Sequence, residues 1–194
     1  MKSIVVFASG GGSNFKSIFE STKSQKIKDT NINLLVSNNP DSGAVSYAKN
    51  QNIETFILNS HRYPDRDNYI CAIVKKINQC KPDLIVLAGY MKLIPKELIS
   101  LYEKKIINIH PGKLPEFGGK GFYGMNVHRA VIESGVGRSA VTIHYVNEEY
   151  DKGMIINEES VLVKNNDSPE SLAKRVLLKE HEVYSKVINN LLNG

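Results

Sequence analysis

Short apolar runs alternate with amphipathic stretches through the first 110 residues. Ser3 to Ala8, Ile32 to Val36, Thr55 to Leu58, Leu84 to Ala88 and Ile106 to His110 read as strands. Between them the apolar spacing changes to that of helices. A helix opens at Ser13, a second covers Ala44 to Gln51, and a short one starts at Pro95. Asp65 to Cys80 carries Tyr69, Ile70, Ile73, Val74 and Ile77 on one helical face. Asn38-Asn39-Pro40 and Pro82 punctuate the pattern as breaks. Strands that are apolar throughout, each followed by a helix, predict an α/β fold with a parallel sheet covered on both faces.

The rhythm changes after Pro111. Gly112 to Gly124 contains five glycines and one proline and reads as a long loop. A helix follows over about Met125 to Ser134. Ala140 to Val146 and Met154 to Val163 read as two strands joined through Tyr150-Asp151-Lys152-Gly153. No crossover helix separates them, so they are expected to pair antiparallel and extend the sheet. Ser168-Pro169-Glu170 announces a last helix, with serine as the cap and proline at the first turn. Leu172, Val176, Val183, Val187 and Leu191 form its expected apolar stripe.

Length and composition narrow the picture. The 194 residues suit one domain with a full core, taken as 1–194. No apolar run approaches a membrane span, and Met1-Lys2 leads straight into a strand without a signal peptide, so the chain is expected to be cytoplasmic. The formal charge of +5 is too mild to argue for nucleic acid and suits anionic small molecules equally well. Lys23, Lys26 and Lys28 read as a solvated surface. Cys71 and Cys80 lack metal-ligand spacing and are expected to pack within their helix.

Against that background Asn108-Ile109-His110-Pro111 stands out. Period-two alternation sets Asn108 and His110 on one side of a strand that Pro111 then stops. The tips of parallel strands are where open α/β sheets bind ligands. A carboxamide can hold a developing oxyanion, and an imidazole can move a proton near neutral pH. Asp151 is a plausible third member, although an Asp before Lys-Gly is also an ordinary turn former. A carboxylate beside His110 would raise its pKa.

Ser9-Gly10-Gly11-Gly12-Ser13-Asn14 joins the first strand to the first helix. It suits a phosphate at a helix N-terminus, or simply a tight turn. It matches neither the dinucleotide fingerprint nor the P-loop. His144 shares a face with Thr142 and Val146 and could stand behind a site or pack in the core. His61, His128 and His181 are expected at the surface. Met91, past the fourth strand, could belong to the core or line an apolar slot.

Taken together, Ser9–Asn14, Leu87-Ala88-Gly89-Tyr90-Met91, Asn108–Pro111, Asp151-Lys152-Gly153 and Glu180-His181 make the chain resemble the folate-dependent formyltransferases, and within them the phosphoribosylglycinamide formyltransferase family of purine synthesis. The resemblance runs from Ser3 to about Ser185. It implies a Rossmann-like open sheet, mostly parallel in its N-terminal part with an antiparallel C-terminal extension. It implies catalysis by Asn108, His110 and Asp151. Phosphoribosylglycinamide would bind at Gly12, Ser13, Asn14 and Glu180. The co-substrate 10-formyltetrahydrofolate would lie along Arg66, Met91, Lys92, Leu93, Ile94, Asn108, Asn147 and Asp151.

The implied reaction is direct attack of the amine on the formyl carbon. Asn108 would hold the oxyanion, His110 would move the proton, and Asp151 would support the charged ring or organise a water. Small-molecule substrates are expected, with no metal, nucleic acid or membrane, and with a monomer or homodimer. Three positions depart from the family pattern. Lys92 stands where arginine is common, Leu177 where glutamine is common, and the loop after Pro111 is long, with Gly118 to Gly124 expected as a flap near the site. Related readings are a formyl-folate hydrolase, a formyltransferase acting on another amine, or a non-catalytic phosphate-binding module.

Overall fold

In the computed structural model, which describes residues 1–194, seven strands form one sheet. In chain order the elements are β1 (Lys2–Phe7), α1 (Ser13–Lys23), β2 (Thr30–Ser37), α2 (Gly43–Asn50), β3 (Glu54–Ile57), α3 (Arg66–Cys80) and β4 (Leu84–Leu87). They continue with α4 (Lys96–Leu101), β5 (Ile106–His110), α5 (Met125–Glu133), β6 (Arg138–Tyr145), β7 (Ile155–Leu162) and α6 (Pro169–Asn193). The spatial order is β3-β2-β1-β4-β5-β6-β7. β1 to β5 run parallel, and β6 and β7 are antiparallel to their neighbours. The chain leaves β1 toward β2 and β3, then returns to β4 on the other side of β1. That reversal opens a crevice beyond the tips of β1 and β4.

The buried central strands explain the continuous apolar runs. All four residues of β4 are buried. Alternate residues feed two cores, one on each face. On β5, Ile107 and Ile109 enter the larger core with α1, α2, α5 and α6, whereas Ile106 enters the smaller core with α3 and α4. Asn108 and His110 lie on the Ile106 side, beyond the last residue that β5 gives to the smaller core. The polar pair therefore faces the side of the sheet on which the apolar contribution of β5 has ended.

Helix ends follow the sequence closely. Asp65 caps α3 by accepting from the Asn68 N–H at 2.8 Å. Ser168 caps α6 in a reciprocal arrangement with Ser171, and Pro169 opens the helix. Several side chains depart from expectation because burial depends on what packs over each helix. His128 is buried on α5, not at the surface, and His181 is half-buried. Cys71 is exposed rather than packed, and Leu191, near the C-terminal end of α6, is 37% exposed. No helix is long and apolar enough to cross a membrane.

Candidate active site

The antiparallel pairing of β5 with β6 sets Asn108 opposite His144 and His110 opposite Thr142. Asn108 Nδ2 lies 3.2 Å from His144 Nε2. On the other side of that imidazole, Nδ1 lies 2.8 Å from the carbonyl oxygen of Tyr145. A carbonyl only accepts, so Nδ1 carries a proton, while Nε2 lies within hydrogen-bond reach of the Asn108 amide. His144 thus orients the carboxamide, leaving its second N–H available to a ligand. The Thr142 hydroxyl donates to the Gly112 carbonyl at 2.7 Å and ties the start of the long loop to β6.

Asp151 reaches this pair from the turn before β7. Its carboxylate lies 3.6 Å from His110 Nδ1 and 3.5 Å from His144 Nε2. Asp151 has φ of 55°, a left-handed conformation that Asp adopts more readily than most residues. Gly153 makes the approach possible. A Cβ there would stand 1.6 Å from the Tyr145 carbonyl oxygen and 3.3 Å from His144 Nδ1. The Asp-Lys-Gly turn is therefore both a turn and the device that delivers a carboxylate.

The loop after Pro111 closes the other side. His110 Nε2 lies 2.7 Å from the Phe117 carbonyl oxygen, so Nε2 carries the proton and Nδ1 of the neutral ring presents its lone pair toward Asp151. The Gly119 N–H donates to Asp151 Oδ2 at 2.9 Å. The loop that Gly118 to Gly124 belongs to lies against the site through backbone groups. A backbone carbonyl at 117 leaves no trace in residue type.

Burial governs the titration of His110. Its ring is 3% exposed, and desolvation lowers its pKa, with the nearby His144 adding to that. Asp151 and the Phe117 carbonyl pull the other way without prevailing. The carboxylate raises the His110 pKa as expected, yet the net direction is down, because desolvation of the imidazolium outweighs it. For Asp151, burial pushes the carboxyl up, yet contact with His144, the charge of protonated His110 and the Gly119 N–H bring it below the ordinary value. A neutral base beside a carboxylate is the resting arrangement near neutral pH.

The glycine-rich loop lies across the sheet switch point. Gly12 precedes α1 with φ of 76°, and a Cβ there would stand 2.9 Å from Ala44. No side chain caps the α1 N-terminus, and its first turn has no acidic residue. Those free N–H groups suit an anion. Asn14 Nδ2 donates to Glu180 Oε2 at 3.0 Å, and Asn14 Oδ1 is buried without a partner. Burial pushes the Glu180 carboxyl up to about 7, partly opposed by Asn14. Ser13 is exposed beside them, while Leu177 is half-buried.

A third region lies past β4. Arg66, Leu93 and Ile94 line a cleft of about 370 Å³ with Tyr69, Ile70, Pro95, Lys96 and Glu148. Ile94 is buried, whereas Met91 and Leu93 are each 45% exposed and Lys92 is exposed. Met91 therefore belongs to the surface of this segment and not to the core. Asn147 accepts from the Glu149 N–H at 3.1 Å and shapes the turn beside Glu148. The lining of the cleft mixes apolar side chains with two cations and the Glu148 carboxylate. No group of three or more His, Cys, Asp or Glu side chains is arranged to hold a metal ion.

The structure brings Asn108, His110 and Asp151 together, and Asn14 with Glu180. It adds His144 to the first group. Sequence showed that His144 shared a face with Thr142, but not that β6 pairs with β5 in this register.

The family described as formyl transferase matches residues 2–188. The chain is 45% identical over 188 residues to the chloroplastic phosphoribosylglycinamide formyltransferase of Arabidopsis thaliana, covering 96% of this chain and 64% of that protein. It spans under two thirds of that relative and of the one from Vigna unguiculata, 64% and 61% of their lengths. With phosphoribosylglycinamide formyltransferase of Bacillus subtilis strain 168 the identity is 35%, over 99% of this chain and 95% of the other. The crystal structure of glycinamide ribonucleotide transformylase 1 from Geobacillus kaustophilus superposes with a TM-score of 0.91, at 35% identity and over the full length of both chains.

Proposed function

The chain belongs to the formyl transferase family, and from that premise we propose that it transfers the formyl group of 10-formyltetrahydrofolate to the amino group of phosphoribosylglycinamide, a step of purine synthesis. The observation that carries the proposal is the contact of Asn108 with His144, with Asp151 between His144 and His110. One oriented donor, half-buried, and one buried neutral base at a strand tip are what acyl transfer to an amine requires.

In the proposed reaction the glycinamide nitrogen attacks the formyl carbon and forms the new C–N bond. The formyl oxygen gains negative charge, which the free N–H of Asn108 meets. A preorganised donor of this kind contributes roughly 3–4 kcal/mol. His110 takes the amine proton at Nδ1, and Asp151 stabilises the resulting imidazolium. At 3.6 Å from Nδ1, the Asp151 carboxylate is near enough to meet that charge directly, with only a small closing movement needed for a hydrogen bond. The same proton then goes to the folate nitrogen as its bond to the formyl carbon breaks. Amine, formyl carbon and proton are all accounted for, with no covalent enzyme intermediate.

The two substrates have separate supports. Gly12, Ser13 and the α1 N-terminus would hold the phosphate, with Asn14 and Glu180 beside it. The cleft of Arg66, Leu93 and Ile94, with Met91, Lys92 and Asn147 at its edge, would hold the folate. Lys92 keeps the positive charge of the usual arginine without its planar fork. The cytoplasm remains the proposed compartment, and both monomer and homodimer are compatible with this site.

The deciding assay supplies both substrates and follows release of tetrahydrofolate. Release that depends on the amine and collapses in His110→Ala supports the proposal. Equal release without phosphoribosylglycinamide would assign formyl-folate hydrolysis instead. Turnover only with a different amine would reassign the acceptor.

A further inference from the structure

Ser9 opens the glycine-rich loop of one proposed substrate support and hydrogen-bonds to the segment that edges the other. It is 9% exposed, just beyond β1, where the sheet order reverses. Its hydroxyl donates to Asn38 Oδ1 and accepts from the Met91 N–H at 2.9 Å. Its own N–H donates to the Gly89 carbonyl at 3.1 Å. Met91 opens the segment that edges the folate cleft, and Ser9 opens the glycine-rich loop.

The partners are themselves anchored. The Asn38 carbonyl accepts from Asn59 Nδ2 at 3.1 Å. The next residue of the loop, Gly10, accepts from the Ala44 N–H at 3.1 Å, and Gly12 packs against Ala44. The glycine-rich loop is thus held on one side by α2 and on the other by the Gly89–Met91 segment. A displacement of either segment is passed to the other through Ser9, by its backbone bond to Gly89 and by the hydroxyl that fixes the Met91 N–H. No other residue type of that size offers both a donor and an acceptor here. Alanine leaves the Met91 N–H and Asn38 Oδ1 without a partner, and cysteine offers a poor acceptor.

We propose that Ser9 is a positioning residue that couples the glycine-rich loop to the Met91–Ile94 segment, so that binding of the phosphorylated amine strengthens binding of the folate and the reverse. This rests on the function proposed above. Coupling of this kind is reciprocal and costs no contact between the two ligands.

The test measures tetrahydrofolate binding by calorimetry, with and without saturating phosphoribosylglycinamide. These two molecules bind without reacting. Wild type is expected to bind the folate about five-fold or more tightly when the second ligand is present, within the ordinary span of coupling. In Ser9→Ala that factor falls to near one while each ligand alone still binds, and Ser9→Thr recovers it. A Ser9→Ala protein that keeps the full factor overturns the role of Ser9 and leaves the proposed function standing. A wild type that binds both ligands without coupling does the same. A wild type that binds neither ligand overturns the proposed function itself. Should Ser9→Ala not fold, hydrogen exchange on wild type decides: phosphoribosylglycinamide alone is expected to slow the Met91 amide several-fold, and an unchanged Met91 amide overturns the coupling.

Discussion

Asn108 and His144 face each other across the β5–β6 ladder, with the carboxamide nitrogen 3.2 Å from the ring nitrogen. The ring is buried, and the Tyr145 carbonyl holds its other side, so it has one orientation to offer. An amide with a fixed direction differs from an amide that must be ordered in each turnover, because the ordering cost then falls outside the reaction.

His144→Ala is accordingly expected to lower kcat by roughly 10–100-fold with KM values changed little, since an oriented donor is lost only in part. Asn108→Ala removes the donor and is expected to cost on the order of 10²–10³. Because the imidazole acts through the amide, the double variant should be little slower than Asn108→Ala alone. Steady-state kinetics on all four proteins measures this. Effects that multiply fully would show that His144 does not act through Asn108.

Asp151 raises the pKa of His110, though burial keeps the net direction downward. Replacing Asp151 by Asn removes that upward pull, so the His110 pKa is expected to fall further below its ordinary value. The acid limb of kcat/KM should move to lower pH along with it, at a lower plateau. Imidazole NMR titration of both proteins checks the direction. A His110 pKa that rises or stays in Asp151→Asn rules out the charge coupling.

Much of this site was legible because it lies on one strand. Period two and a terminating proline were enough to pair Asn108 with His110, and Ser168-Pro169 marked α6 to the residue. His144 was not legible, because its contact depends on a β5–β6 register that local pattern does not carry. The Phe117 carbonyl was invisible for a different reason, since every residue has one. The net direction of the His110 shift was not legible, because a neighbouring carboxylate shows in sequence and depth of burial does not. His128 failed for the same reason: only tertiary packing decides which face of α5 is covered.

Glu180 links the proposed phosphate site to stability. Burial pushes its folded pKa to about 7 from an ordinary 4.5, so between those values the folded chain holds a proton that the unfolded chain releases. Stability therefore falls as pH rises through that window, by up to about 3 kcal/mol when the shift is fully expressed. Glu180→Gln removes this dependence. Urea unfolding should show the variant gaining on wild type from pH 5 to pH 8, and a gap independent of pH would contradict the raised pKa.

Gly153 offers the most direct test of how the carboxylate is delivered. A Cβ at this position would stand 1.6 Å from the Tyr145 carbonyl oxygen, so the turn must lift away from the end of β6. Gly137 has nothing within 4 Å of its Cβ direction and φ outside the left-handed region. Gly137→Ala therefore supplies a control for loss of a glycine without a collision. Overpacking of this kind costs roughly 1–3 kcal/mol when neighbours can shift, and backbone gives less readily than a side chain. Gly153→Ala is expected to be destabilised by at least that much, while Gly137→Ala stays near wild type in urea unfolding. The lifted turn also carries Asp151 away from His110 and His144, which it reaches only at 3.6 and 3.5 Å. Activity of the folded Gly153→Ala protein should therefore fall about as far as that of Asp151→Asn, with the His110 pKa moved in the same downward direction. A Gly153→Ala protein that loses stability but keeps wild-type turnover would separate the turn from the chemistry and remove Asp151 from the proposed mechanism.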